Sequence, residues 1–502
     1  MLRTMAEQKK DFYITTSIPY VNAAPHIGFA LELLEADVVA RYHRTRGERV
    51  FFLTGTDEHG KKIQEAAEKE GATPQQYADT FSAQFHELGA ALGITNDDFI
   101  RTSDEQRHIP VVQKVLQQLK SNGDIYKDKY EGRYCTGCEA FLREAEIADD
   151  GTCVIHERQP ERIYEENYFF RFSKYAREVE RMIREDVIRV VPAHRKKEML
   201  NLFSEEGVRD VSISRPSATI PWGIAMPHDD SQTVYVWVDA LLNYLSGAGF
   251  GTDVFAKRWP ADIHIIGKDI ARFHTMLWPA MLLALALPPP RAIFIHGHIN
   301  VEGRKMSKSL GNVVGSDMLL QQFGKDAVRY LLCAEIPSDD DGDFSFARFH
   351  ERYAADLQNG IGNLVSRVVT VGEKYPDVFG NITLDGAFSE ALRTARTTYE
   401  EHIGNFQLHH ALSAVTRLVK EANKLVDSTK LWELPSSDPA AAVRVMHDLA
   451  GVLFVVAELC APFMPDTAEK IRGALGVGAS ETAGRYVVFT KPAQPLFPRL
   501  AP

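Results

Sequence analysis

The period of the apolar positions changes along this chain, and the changes divide it. Between residues 11 and about 120, short apolar runs alternate with stretches whose apolar residues recur every three or four positions. Phe12 to Ile18 and Arg49 to Leu53 read as strands. His26 to Arg46 reads as a helix with Ile27, Leu31, Leu34 and Val38 on one stripe, and Thr73 to Leu92 as another. Ser103-Asp104-Glu105-Gln106 fits a capping box that opens a further helix at Ser103. Strands alternating with helices imply a parallel sheet covered on both faces. In such an α/β fold, ligands bind beyond the carboxyl ends of the strands. From about 125 to 230 the pattern turns short and irregular, as expected of an insertion. It then returns in three apolar runs with polar ends, Thr233 to Tyr244, Ile263 to Asp269 and Ala292 to His298, each read as a strand delivering chemistry at its end. Beyond about 350 the period is helical nearly throughout, over Tyr353 to Val371, Ala387 to Ala422 and Ala440 to Ala461, which predicts an all-α bundle. The predicted division is therefore 1–124 and 231–300 as two halves of one domain, 125–230 as the insertion, 301–350 as a linking segment and 351–502 as the bundle.

Composition narrows the class. A chain of 502 residues has room for about two to four domains. With 45% hydrophobic and 25% charged residues it reads as an ordinary globular protein. No apolar run of membrane-spanning length is evident. The richest stretch, Leu277 to Leu287, is interrupted by Pro279 and closed by Pro288-Pro289-Pro290, so it reads as a buried helix. The first ten residues are polar and basic, unlike a secretory signal. A cytoplasmic protein with no membrane association is expected. Five cysteines are too few for a disulfide framework in a chain of this length. The net charge of −11 argues against nucleic acid only if the charge is evenly spread. Two segments are locally basic: Arg171 to Lys197, and a helical stretch with Arg417, Lys420 and Lys424 on one face.

Three motifs carry chemistry. Pro25-His26-Ile27-Gly28 follows a strand and opens a helix. A helix N-terminus binds phosphate, a histidine there adds a donor, and glycine lets a ligand approach the backbone. Far downstream, Lys305-Met306-Ser307-Lys308-Ser309 places two lysines on a small-residue loop suited to gripping a polyphosphate. Between them, Cys135-Thr136-Gly137-Cys138 and Cys153-Val154-Ile155-His156 pair as CxxC and CxxH, four ligands for one closed tetrahedral zinc of the structural kind. Cys333 and Cys460 lie in apolar contexts and read as core.

The first two motifs, in this order, resemble the signature pair of the class I aminoacyl-tRNA synthetases. Further blocks sharpen the resemblance to the methionyl-tRNA synthetase family over nearly the whole chain. These are Ser17 to Asn22, Thr54-Gly55-Thr56-Asp57-Glu58-His59-Gly60, Val236-Trp237-Val238-Asp239-Ala240, Gly267 to His274, and His296-Gly297-His298. The resemblance implies a Rossmann-like, doubly wound parallel sheet with an inserted zinc-knuckle domain, followed by an anticodon-binding helical bundle. It implies activation of L-methionine with ATP and Mg2+, and transfer to tRNA(Met). By the same resemblance the methionine pocket is Ile18, Tyr20, Asp57, Trp237, Ala240, Leu241, Tyr244, Ile270 and His274. A thioether suits aromatic walls such as Trp237 and Tyr244, and a carboxylate such as Asp57 can pair with the substrate ammonium. The nucleotide falls to His26, Gly28, Lys268, Asp269, His296, Ile299, Lys305, Ser307 and Lys308, with His26, Lys305 and Lys308 at the phosphates as the catalytic group. Asn363, Arg367 and Trp432 match the anticodon readers. Two rivals remain: another class I synthetase without an editing domain, and a non-catalytic zinc-knuckle tRNA-binding paralogue. One departure supports the latter. The family motif ends in a second histidine where this chain has Phe29. The expectation is that another donor substitutes. The chain also stops soon after its helical region, from which a monomer is expected.

Overall fold

The computed structural model describes residues 11–138, 140–142, 146–205, 208–306, 312–380, 382, 384, 390–480 and 484–500. The chain forms two compact units. One comprises Met1–Ala24, Glu48–Glu87 and Asn96–Ile295, and the other Pro25–Gly47, Leu88–Thr95 and His296–Pro502.

The first unit is built on a six-stranded sheet in the order Asp98–Arg101, Val50–Thr56, Phe12–Thr16, Ile263–Gly267, Ala292–His296, Arg189–Val191. Phe12–Thr16 pairs in parallel with both of its neighbours, Ile14 opposite Ile263 and Phe12 opposite Val50. Strand order reverses between Phe12–Thr16 and Ile263–Gly267. A crevice opens at such a switch point beyond the carboxyl ends of the strands. The segments leaving those two ends carry Ile18 and Tyr20 on one side and Lys268, Asp269 and Ile270 on the other. The strand read as ending at Leu53 runs on through Thr54-Gly55-Thr56. A Cβ on Gly55 would sit 2.0 Å from the Ile100 carbonyl oxygen, so only glycine lets the two strands close.

Two other expectations change here. The run from Thr233 to Tyr244 is not one strand: a strand ends at Val234, and the helices Val236–Leu241 and Asn243–Ala248 follow. No helix begins at Ser103. Its hydroxyl donates to Glu58, while Asp104 Oδ1 accepts from the Gln106 and Arg107 N–H groups and the helix starts later, at Ile109–Ser121. The stretch read as an insertion holds a long hairpin, Ile125–Cys135 against Glu161–Phe170. It also supplies Arg189–Val191, the edge strand of the main sheet. Its basic residues are paired locally: Arg181 with Glu178 and Glu185, Arg184 with Glu180, Arg195 with Glu198 and Lys196 with Asp186.

The second unit combines the helix Ile27–Thr45, a small sheet and a helical bundle. In the sheet, Ile299–Val301 pairs with Arg304–Lys305 and with Gly342–Phe344. A fully buried guanidinium braces the helix. Arg329 Nη2 lies 2.6 Å from Asp37 Oδ2, and the group also donates to the carbonyls of Leu92, Pro462 and Phe463. Burial works against Asp37, but Arg329 and Arg41 hold its carboxyl below the usual carboxylate range. Breaking such a pair costs about 3–5 kcal/mol. Among the described residues one helix, Pro439–Cys460, is long and apolar enough to cross a bilayer, contrary to the reading that no such run exists. Half of its apolar window is buried, and it lies against the neighbouring helices Leu408–Ser428 and Pro465–Leu475, as the central helix of a bundle does.

Candidate functional site

Beyond the switch point, the first unit concentrates aromatic rings and histidines. Tyr244, His264 and Trp278 are fully or nearly fully buried, and His274 is 2% exposed. The Tyr244 hydroxyl lies 2.8 Å from His274 Nε2, and His274 Nδ1 lies 3.1 Å from the Ile270 carbonyl oxygen. A carbonyl only accepts, so Nδ1 carries the proton and Nε2 accepts from the hydroxyl. His274 is thus neutral, and burial pushes its pKa down to about 4. His264 is fixed the same way, accepting from Trp278 Nε1–H at 3.1 Å and facing the Thr15 hydroxyl at 2.7 Å. Trp237 stacks on Phe273 with ring centroids 4.0 Å apart and planes 9° from parallel. Ala240 and Leu241 are buried beside them on the helix Val236–Leu241. Phe273 and Trp278 were not singled out in the sequence, although Phe273 adjoins His274 within a quoted block.

Asp57 and Tyr20 meet across a one-residue parallel bridge: the Asp57 N–H donates to the Pro19 carbonyl and the Val21 N–H to the Asp57 carbonyl. Asp57 is 8% exposed. The residues that follow are tied down. Glu58 takes two hydrogen bonds from Arg101, at 2.7 and 2.9 Å, and its carbonyl accepts from Trp222 Nε1. His59 Nδ1 lies 2.7 Å from Asp239 Oδ2, whose other oxygen lies 2.7 Å from His108 Nε2. Lys268 and Asp269 lie in a single turn at the end of Ile263–Gly267, with Asp269 exposed.

In the second unit, His26 is the N-cap of Ile27–Thr45, and its Nδ1 accepts from the Gly28 N–H at 3.1 Å. An accepting Nδ1 leaves the proton of the neutral ring on Nε2, on an exposed side chain. The Ile27 N–H donates to the Val314 carbonyl, and a Cβ on Gly28 would lie 3.9 Å from the Met306 methyl. The helix start and both flanks of the lysine segment are therefore adjacent. Lys305 ends a two-residue strand. Ser307 and Lys308 lie outside the described residues. Phe29 is a buried residue of the helix, 9% exposed. His296 Nε2 lies 2.9 Å from Glu32 Oε2 and its Nδ1 2.8 Å from the Gly297 carbonyl oxygen. Ile299, 5% exposed, follows on the next strand. The Glu35 carboxyl is fully buried with no hydrogen-bond partner among the described residues, and burial pushes it up to about 8 against the attraction of His296.

Cys135, Cys138, Cys153 and His156 converge, their ligand atoms all within 4.8 Å of one another. Tetrahedral zinc with Zn–S of ~2.3 Å sets its sulfurs about 3.8 Å apart. Cys138 and Cys153 Sγ are 3.6 Å apart, and His156 Nδ1 is 3.3 and 3.9 Å from Cys138 and Cys135. A Cβ on Gly137 would stand 2.4 Å from the His156 ring, so that glycine admits the fourth ligand. Cys333 and Cys460 are buried, as read.

On the bundle, Asn363 and Arg367 share the helix Asn363–Lys374. Asn363 Nδ2 donates to Asn423, Arg367 pairs with Asp427 at 2.5 Å, and the Arg367 guanidinium lies 5.4 Å from the centre of the Trp432 ring. Trp432 is 45% exposed, far from the core burial usual for tryptophan in a bundle. Arg417, Lys420 and Lys424 line a cleft of about 680 Å³ together with Glu335, Arg352 and Asp356.

Comparison with known proteins agrees along the chain. The family described as "tRNA synthetases class I (M)" matches residues 12–153 and 148–369, and "Anticodon binding domain of methionyl tRNA ligase" matches 380–485. A methionine–tRNA ligase of Clostridium acetobutylicum is 42% identical over 482 residues, 94% of this chain and 74% of that protein. One of Rhizobium meliloti is 41% identical over 510 residues, covering 97% and 98%. Among solved structures, Mycobacterium tuberculosis methionyl-tRNA synthetase in complex with methionyl-adenylate superposes with a TM-score of 0.88 at 35% identity, over 98% of this chain and 100% of that one.

Proposed function

The chain belongs to the methionyl (M) family of the class I tRNA synthetases, and from that premise we propose that it activates L-methionine with ATP and charges tRNA(Met). The observation that carries the reading is the neutral His274, locked between Tyr244 and the Ile270 carbonyl among stacked aromatic rings. Such a wall is apolar, polarizable and uncharged, which suits a thioether and rejects a charged side chain. Ile18, Tyr20, Trp237, Ala240, Leu241, Tyr244, Ile270 and His274 form this pocket, and Asp57 receives the ammonium.

The reaction has two steps. A methionine carboxylate oxygen attacks the α-phosphorus of ATP, the bond to the bridging oxygen breaks, and pyrophosphate leaves. A ribose hydroxyl at the tRNA 3′ end then attacks the acyl carbon of the adenylate, and AMP leaves. The protein aligns the groups and supplies positive charge where phosphate charge accumulates. His26, through its Nε2–H, and the lysines Lys305 and Lys308 do this, with Gly28 and Ser307 against the phosphates. Lys268, Asp269, His296 and Ile299 serve the nucleoside. Mg2+ enters with ATP as a phosphate counter-ion. Asn363 and Arg367 hydrogen-bond anticodon bases, and Trp432 stacks on one.

Cys135, Cys138, Cys153 and His156 would hold one Zn2+, which closes the knuckle and leaves no coordination position open for catalysis. Chelation should destabilise the hairpin and lower turnover, and a purified protein without stoichiometric zinc would refute the assignment. Amino-acid-dependent exchange of pyrophosphate into ATP, run across the twenty amino acids, tests the whole reading. Methionine-only exchange supports it. Exchange with another amino acid supports a sister synthetase, and none supports a non-catalytic paralogue, for which Phe29 is the one feature.

A further inference from the structure

The proposed methionine pocket draws on two segments that regular structure holds weakly. One is Asp57, joined to Tyr20 through a single bridge. The other is Val236–Leu241, six residues long and carrying Trp237, Ala240 and Leu241. A helix this short has little stability of its own. Within it, between Trp237 and Ala240, stands a carboxylate that binds no proposed substrate group. Asp239 is 1% exposed and faces two histidines that are themselves 5% and 0% exposed. His59, two residues beyond Asp57, lies 2.7 Å from one oxygen, and His108, at the start of Ile109–Ser121, lies 2.7 Å from the other.

Both histidines are held from behind. His59 sits edge-on against Trp222 at 5.2 Å, and Trp222 donates to the Glu58 carbonyl. His108 Nδ1 lies 2.9 Å from the Ser246 hydroxyl, which reaches the Leu242 carbonyl on the same stretch as the pocket helix. A carboxylate accepts from both rings at once, whereas an amide accepts on one side only and presents N–H to the other. We propose that Asp239 is a positioning residue: through His59 and His108 it fixes the Asp57 segment and the Trp237 helix against each other, so that substrate ammonium and thioether meet their partners together. This rests on the functional reading above, and it adds a residue that touches no substrate.

The test is pyrophosphate exchange on the full chain, comparing wild type, Asp239→Asn and His59→Gln, with circular dichroism and melting to confirm folding. Misplacing a binding wall by a fraction of an ångström costs rate and affinity steeply. For Asp239→Asn we expect KM for methionine to rise about tenfold while KM for ATP stays within about twofold. For His59→Gln, which keeps the Asp239–His108 bond, we expect the same direction and about threefold. A folded Asp239→Asn variant with unchanged methionine KM would overturn the proposal. So would methionine and ATP KM rising together, the mark of general loosening. If Asp239→Asn does not fold, His59→Gln decides: a selective rise supports the role and no change rejects it. Wild type lacking methionine-dependent exchange would sink the functional reading and this role with it, whereas a working enzyme indifferent to both substitutions would sink this role alone.

Discussion

His274 in the first unit and His296 in the second are both buried, and their partners tune them in opposite directions. His274 faces a hydroxyl and a carbonyl, one able to donate and one only to accept, so a neutral ring satisfies both. His296 faces the Glu32 carboxylate and the Gly297 carbonyl, two acceptors, so only the doubly protonated ring satisfies both. Burial alone would depress His296, but the hydrogen bond to Glu32 and the nearby carboxyls of Glu35 and Glu32 outweigh it and push its pKa up to about 9. Burial wins at His274, which falls to about 4. The identity of the partner, more than the depth of burial, thus decides the charge each ring carries at neutral pH. A neutral ring belongs where an uncharged side chain is to be recognised, and a cationic one where anionic groups gather.

The largest expected effect is on stability against pH, because each ring departs from the unfolded value of about 6.5 by roughly 2.5 units, or about 3 kcal/mol. The signs differ. The folded state resists protonating His274, so its contribution is complete above pH 6.5 and is lost as pH falls from 6.5 towards 4. The folded state favours charged His296, so its contribution is complete below pH 6.5 and is lost as pH rises from 6.5 towards 9. Urea unfolding of His274→Gln should therefore show a flattened acid limb, and of His296→Gln a flattened alkaline limb. Histidine NMR titration of the native chain should place one midpoint near 4 and another near 9. Two midpoints near 6.5 would dissolve the contrast.

Next in size is Lys308→Ala. If Lys308 meets the reacting phosphates as proposed, its loss should slow methionine-dependent exchange by ~10²-fold or more and leave KM for methionine nearly unchanged. Equal rates would remove the lysine segment from the mechanism. An equal loss through methionine affinity would erase the separation between an uncharged pocket and a cationic one. Trp432→Ala is the outside control and should be milder. Stacking on a base is worth about 1–3 kcal/mol, so tRNA charging should fall about tenfold or more while exchange stays at the wild-type rate. If exchange fell as well, Trp432 would be acting as core rather than as an exposed platform.

Much of this was legible in the sequence, and the exceptions share a cause. The strands Phe12–Thr16, Ile263–Gly267 and Ala292–His296, the capping His26 and the Cys3His ligands all announce themselves through local rules of period or spacing. Arg367 and Trp432 were named through resemblance, but the exposure of Trp432 and the contact between the two came only with the structure. Glu32, Glu35 and Asp37 were invisible, because on a helix with one apolar stripe acids read as the solvent face, whereas Ile27–Thr45 is buried nearly all round. Ser103 looked like a cap because its true acceptor, Glu58, is distant in sequence. The run from Thr233 to Tyr244 misled for a related reason: continuous burial hides the difference between a strand and two short helices.

The smallest effect isolates the hydroxyl from the burial. Tyr244→Phe keeps the ring that lies 4.2 Å from His264 and removes only the donor to His274 Nε2. The imidazole then carries an unsatisfied acceptor in a dry site, at a cost of about 1–3 kcal/mol to stability. Freed at one end, the ring is oriented only through Nδ1 and the Ile270 carbonyl. KM for methionine should rise about fivefold, with KM for ATP unchanged, which corresponds to about 1 kcal/mol for one hydrogen bond. The His274 midpoint should stay near 4, because burial, its main cause, is untouched. A midpoint that climbed towards 6.5 would mean that the hydroxyl, not the dry surroundings, keeps this ring neutral, and the contrast with His296 would then rest on hydrogen-bond partners alone.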